Sequence, residues 1–160
     1  MLKKTRFLVQ AAAIAAIYVV LTLVFAPISY GETLVEFRIA EALTVLPFFT
    51  FSAVPGLFVG CLIANLFSPV GTIDIVLGSL ASLIAAYLTY KMPNKYLAPL
   101  PPILVNALVI GGMLHYVYKF PIHIAILSIG LGQLVTCYGL GIILLLTLDK
   151  YKKQLFAIDS

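Results

Sequence analysis

Along the chain, long apolar runs alternate with short polar breaks, and the breaks come too often for any soluble layer to form between them. Counting roughly 20 apolar residues per membrane crossing, with shorter ones tolerated down to about 17, predicts helices near 7–26, 35–51, 54–68, 72–90, 99–117 and 121–148. The breaks carry turn chemistry: Ala26-Pro27, Ser52 to Pro55, Ser68-Pro69-Val70-Gly71, Pro93-Asn94 and Lys119-Phe120-Pro121. The expectation is an all-α integral membrane protein, a single domain over 1–160 with six transmembrane helices. Phe7 to Phe25 follows Lys3, Lys4 and Arg6 as a leader would, but it is long enough to span and no small-x-small site follows. It reads as a retained first helix.

Polar residues break this pattern most sharply in one place. Glu36, Arg38 and Glu41 fall within a stretch that is otherwise membrane-grade. An unpaired charge in hydrocarbon costs at least ~2.5–3.5 kcal/mol, so charges retained there are paired, interfacial or functional. On an α-helix Arg38 and Glu41 share a face and can pair. Pro47 follows, and its missing N–H is expected to free the Leu43 carbonyl and bend the segment.

Composition and charge sharpen the picture. Of the 160 residues, 62% are hydrophobic and 10% charged, and the mean hydropathy is +1.12; soluble domains carry about 25% charged residues. The net charge of +4 does not point to nucleic acid, because the basic residues gather at span ends. Lys3, Lys4, Arg6, Lys91, Lys95, Lys150, Lys152 and Lys153 fall on one side of the predicted topology and Lys119 on the other. This asymmetry predicts cytoplasmic termini. Cys61 and Cys137 lie in apolar runs and read as packing residues. No cofactor or metal is expected, since His115 and His123 have no acidic or thiol partners at ligand spacing.

With that orientation, Glu32, Glu36, Arg38, Glu41, Asn65, Asp74, His115 and Tyr116 sit toward the outer side, and Asn106 and Gln133 lie deeper. Each has a plain structural reading: an ion pair for Arg38 and Glu41, a helix cap for Asp74, turn satisfaction for Asn65, interhelical hydrogen bonds for Asn106 and Gln133. Their concentration in one half of the bundle predicts a site for something polar taken from outside. A second pattern is small residues at four-residue spacing, which permits close helix approach. Ala11, Ala12, Ala15 and Ala16 form such a stripe in the first helix, as do Gly56, Gly60 and Ala64 in the third. The alanine stripe fits either a partner helix or packing within the bundle.

The run Phe37-Arg38-Ile39-Ala40-Glu41-Ala42-Leu43-Thr44-Val45-Leu46-Pro47 resembles the queuosine-precursor transporter (QueT) family. So do 55–66, 74–81, Leu97-Ala98-Pro99-Leu100-Pro101-Pro102 with Asn106, and Gly132-Gln133-Leu134 with Cys137-Tyr138. The resemblance implies the bundle of a substrate-binding (S) component of an energy-coupling factor (ECF) importer. Its cargo would be a 7-deazaguanine such as 7-aminomethyl-7-deazaguanine or queuine, and its partners a transmembrane coupling subunit and two cytoplasmic ATPases. The usual docking face of such components falls here on Ala11, Ala12, Ala15 and Ala16. The segment contains no Walker-type phosphate loop, so ATP hydrolysis is expected from separate chains. Matching the cargo to the pocket gives Glu36, Phe37, Arg38, Glu41, Asn65, Asp74, Asn106, Tyr116 and Gln133 as candidate contacts. A different vitamin or purine cargo, or a non-binding membrane subunit, are the competing readings; a membrane enzyme would need a catalytic cluster that the sequence does not show.

Overall fold

The computed structural model describes residues 2–30 and 37–155. Among them there is no strand; the chain is a bundle of helices. Helix α1 spans Leu2–Val24 and the one-turn α2 Ala26–Ser29, with Pro27 in its first turn where a missing N–H costs nothing. A 3-10 helix, Ile39–Phe48, follows. Then come α3 (Ala53–Asn65), a π-helical turn Asp74–Gly78 running into α4 (Ser79–Tyr90), and α5 (Leu100–Tyr118). The last rod is α6 (Ile122–Gln133), a second π-helical segment Leu134–Leu140, and α7 (Gly141–Leu155). Among the described residues, three stretches are long and apolar enough to cross a membrane: Lys3–Val24, Lys95–Tyr118 and Ile122–Lys152. The segments at Ile39–Phe48, Ala53–Asn65 and Asp74–Tyr90 are apolar but shorter.

The segment expected as an α-helix over 35–51 is wound differently, and its surroundings explain why that is tolerated. Every residue from Ala40 to Pro47 is buried, and non-standard backbone at membrane depth persists where protein covers it. Runs of 3-10 helix beyond three or four residues are uncommon, and this one has ten residues. Because 3-10 bonds run from i to i−3, Pro47 deprives the carbonyl of Thr44, rather than that of Leu43, of its partner. The same winding stacks positions three apart with no angular drift, so Arg38, Glu41 and Thr44 form one edge.

Small residues set the tightest crossing. An ideal Cβ on Gly56 would lie 2.7 Å from the carbonyl oxygen of Ala11, and one on Gly60 would lie 3.0 Å from that of Ala15. Helices α1 and α3 therefore run in the same direction with their backbones nearly touching. The alanine stripe divides: Ala11 and Ala15 meet α3, while Ala12 and Ala16 are exposed.

One end of the bundle collects the basic residues. Phe7 stacks on Phe51 (6.3 Å), Phe51 packs edge-on to Tyr90 (5.1 Å), and Lys95 pairs with Asp149 (3.1 Å). The start of α1, the ends of α4 and α7 and the start of α5 thus share that end. At the other end Gly71 turns with φ +80° and Lys119 closes α5 in the left-handed region, ahead of Pro121.

Candidate functional site

Two buried polar tiers lie side by side, each assembled from several elements. In the first, Arg38, at the head of the 3-10 helix, donates from Nη1 to Oδ1 of Asn65 and from Nη2 to Oδ2 of Asp74, both at 3.1 Å. Its guanidinium also lies over the ring of Tyr30, 5.3 Å from the centroid. Asn65, on the last turn of α3, donates from Nδ2 to the backbone oxygen of Asp74 (2.9 Å) and to Sγ of Cys61 (3.4 Å). Ser82 donates to the same sulfur at 3.1 Å. Asp74 opens the π-helical turn and is 1% exposed. Its second oxygen, Oδ1, has no hydrogen-bond partner among the described residues.

The second tier centres on Glu41. Tyr18 of α1 donates its hydroxyl to Oε1 at 2.6 Å, and Asn106 of α5 donates from Nδ2 to Oε2 at 3.3 Å. Thr44 donates to the backbone oxygen of Glu41 (2.6 Å), and Cys137 lies 3.6 Å from the Thr44 hydroxyl. The Cys137 thiol reaches Oε1 of Gln133 at 3.3 Å. Both cysteines are free and buried, and both are knitted into the polar tiers as well as packed.

Between the tiers is a recess lined by Arg38, Glu41, Gly78, Ser82, Asn106, Ile110, Ile129 and Gln133. It contains about 340 Å³ of empty space counting its mouth, of which only about 10 Å³ is wide enough for the centre of a water molecule. That is room for about one water. Gly78 leaves this wall its room: a Cβ there would sit 2.6 Å from Oδ1 of Asp74 and 2.7 Å from Nδ2 of Asn65, so those side chains would have to shift. Both π-helical segments border the site, one beginning at Asp74 and the other directly after Gln133; such segments recur at functional sites.

Of the residues singled out from the sequence, Arg38, Glu41, Asn65, Asp74, Asn106 and Gln133 come together here. The pairing differs from the helical expectation. Arg38 forms its ion pair with Asp74, while the Glu41 oxygens accept from Tyr18 and Asn106 instead. Phe37 is half-buried beside the 3-10 helix. Tyr116 is 69% exposed, with the Lys119 ammonium 5.1 Å from its ring centroid, and is not among the recess-lining residues. Glu36, like Glu32, lies outside the described residues. Sequence reasoning missed Tyr18, Gly78 and Ser82. A hydroxyl deep in the first apolar run was the signal for Tyr18; Gly78 and Ser82 gave none beyond small size.

The profile of the family described as QueT transporter matches residues 8–150. The chain belongs to the QueT transporter family. A similar protein is the queuosine precursor transporter QueT of Lactococcus lactis subsp. cremoris (strain MG1363), 35% identical over 83 residues, covering 51% of this chain and 47% of that protein. The chain spans about half the length of this curated relative. No solved structure matches. Family membership and the three spanning-length helices make this QueT-family chain a multi-pass protein of the cell membrane.

Proposed function

We propose that the chain is the substrate-binding component of an ECF-type importer and that the recess receives a 7-deazaguanine precursor of queuosine from outside the cell. The observation that carries this reading is the recess itself: charged and amide side chains face one another between the apolar walls of Ile110 and Ile129. A guanine-like ring presents adjacent N–H donors, which suit a carboxylate, and a carbonyl, which suits an amide or guanidinium. Family membership and the name of the Lactococcus relative support the cargo class.

In this reading Arg38, Glu41, Asn65, Asp74, Asn106 and Gln133 supply the contacts. The six helical stretches all cross the bilayer, with both termini and the basic end in the cytoplasm. A coupling subunit docks on the exposed side of the α1 stripe, Ala12 and Ala16, and two cytoplasmic ATPases drive uptake. The narrowness of the recess means that lining side chains give way as the ring enters.

Calorimetric titration of the detergent-purified chain with 7-aminomethyl-7-deazaguanine, queuine and guanine tests the proposal. Saturable binding of a deazaguanine, with guanine weaker, is expected. A folded, monodisperse sample that binds none of the three would remove the cargo assignment; tightest binding to guanine would favour an ordinary purine.

A further inference from the structure

The two carboxylates of the site are not equivalent, and their difference assigns a charge to the ligand. Asp74 is already neutralised: Arg38 stands 3.1 Å from Oδ2. What Asp74 still lacks, among the described residues, is a hydrogen-bond donor at the buried Oδ1, beside Gly78 of the recess wall. A neutral N–H group would satisfy that oxygen without disturbing the ion pair. Glu41 is in the opposite condition. Both of its oxygens accept hydrogen bonds, from the Tyr18 hydroxyl and the Asn106 amide. Those donors are neutral, and no ion pair among the described residues includes Glu41. Glu41 also lines the recess, whereas Tyr18 is 1% exposed and is not among the lining residues. A buried carboxylate whose hydrogen-bond donors are all neutral and whose nearest cation, Arg38, is paired to Asp74 gains from a second cation brought to it in a low-dielectric site.

We infer that Glu41, held in place by Tyr18 and Asn106, is the specificity-determining counter-ion for a positively charged amine on the ligand, while the Arg38–Asp74 pair reads a neutral polar edge of the ring. The inference rests on the cargo class proposed above and narrows it. Of two deazaguanines with the same ring, the site takes the one carrying an ammonium in preference to the one with an uncharged substituent.

The test compares 7-aminomethyl-7-deazaguanine with its uncharged 7-cyano counterpart, titrated into the wild-type chain, Glu41→Gln and Tyr18→Phe. Wild type is expected to bind the amine at least roughly tenfold more tightly, a difference of about 1.4 kcal/mol. In Glu41→Gln the two affinities should converge, mainly through loss of amine binding. Tyr18→Phe removes a hydroxyl but no charge, so both affinities fall together and the ratio persists. A Glu41→Gln protein that keeps the wild-type ratio would overturn the assignment. So would a wild type that binds both probes equally, in which case the cargo class stands. If wild type binds neither, the cargo class fails and the charge assignment fails with it. The wild-type ratio is decisive even where a variant does not fold.

Discussion

Asp74 and Gly78 are locked together by space: a single methyl group on Gly78 would meet Oδ1 of Asp74 at 2.6 Å. The same methyl would press on Asn65 at 2.7 Å, so two of the residues that hold Arg38 would be displaced at once. Overpacking of this kind costs about 1–3 kcal/mol. Gly78→Ala is expected to lower the thermal midpoint and to weaken deazaguanine binding by roughly tenfold or more. Thermal unfolding with and without ligand checks both. Wild-type binding with an unchanged midpoint would show that Asp74 and Asn65 can yield.

The Arg38–Asp74 pair is buried, and breaking one side of such a pair costs about 3–5 kcal/mol because a charge is left facing neutral groups. Asp74→Asn is therefore expected to be strongly destabilising. Arg38→Gln combined with Asp74→Asn should recover part of the loss. A double-mutant cycle on chemical or thermal unfolding measures the coupling, and strictly additive single effects would argue against an energetically significant pair.

The α1–α3 crossing separates residues that look alike in the sequence. Gly56→Val drives side-chain carbons into the Ala11 backbone and should lower stability by more than about 1 kcal/mol. Ala12→Leu, on the exposed side, should stay within about 0.5 kcal/mol of wild type. Thermal unfolding of the two proteins in detergent distinguishes them.

The exposed pair Ala12 and Ala16 carries a separate prediction about assembly. Ala16→Leu should leave ligand affinity in detergent unchanged, since the residue faces away from α3. It should reduce co-purification with a coupling module and uptake in cells that contain one. Full uptake with Ala12 and Ala16 both replaced by Leu would place the docking face elsewhere.

Much of the site was legible because hydrocarbon makes polar residues conspicuous. Arg38, Glu41, Asn65, Asp74, Asn106 and Gln133 stand out in apolar runs, where each needs a partner or a purpose. Their pairing was not legible. The three-residue spacing of Arg38 and Glu41 fits an α-helical ion pair as well as a 3-10 edge, and only the tertiary arrangement brings Asp74 to Arg38. The π-helical turns were hidden for a related reason: one extra residue per turn leaves a uniformly apolar run looking the same. Tyr116 and Tyr18 offered the same ring and hydroxyl. The interfacial position of Tyr116 favoured reading it as reachable from outside, whereas Tyr18 had to be placed by the packing of α1 against the 3-10 helix. The alanine stripe showed the capacity for close approach, but which alanines meet α3 depends on a helix rotation that spacing does not specify.

The helices also differ in height. At 1.5 Å per residue the thirteen residues of α3 rise about 20 Å, and the ten of the 3-10 helix, at 2.0 Å each, rise about the same. The Lys3–Val24 stretch reaches about 33 Å and the nineteen residues of α5 about 28 Å, against a hydrocarbon core of about 30 Å. The 3-10 helix is sheltered inside the bundle, but Val59 and Ile63 of α3 face outward. In the proposed six-span arrangement, lipid beside α3 meets a shorter wall than lipid beside α1 or α5. That arrangement predicts a bilayer drawn thin on one flank of the protein, a lopsided deformation that a thinner membrane would relieve.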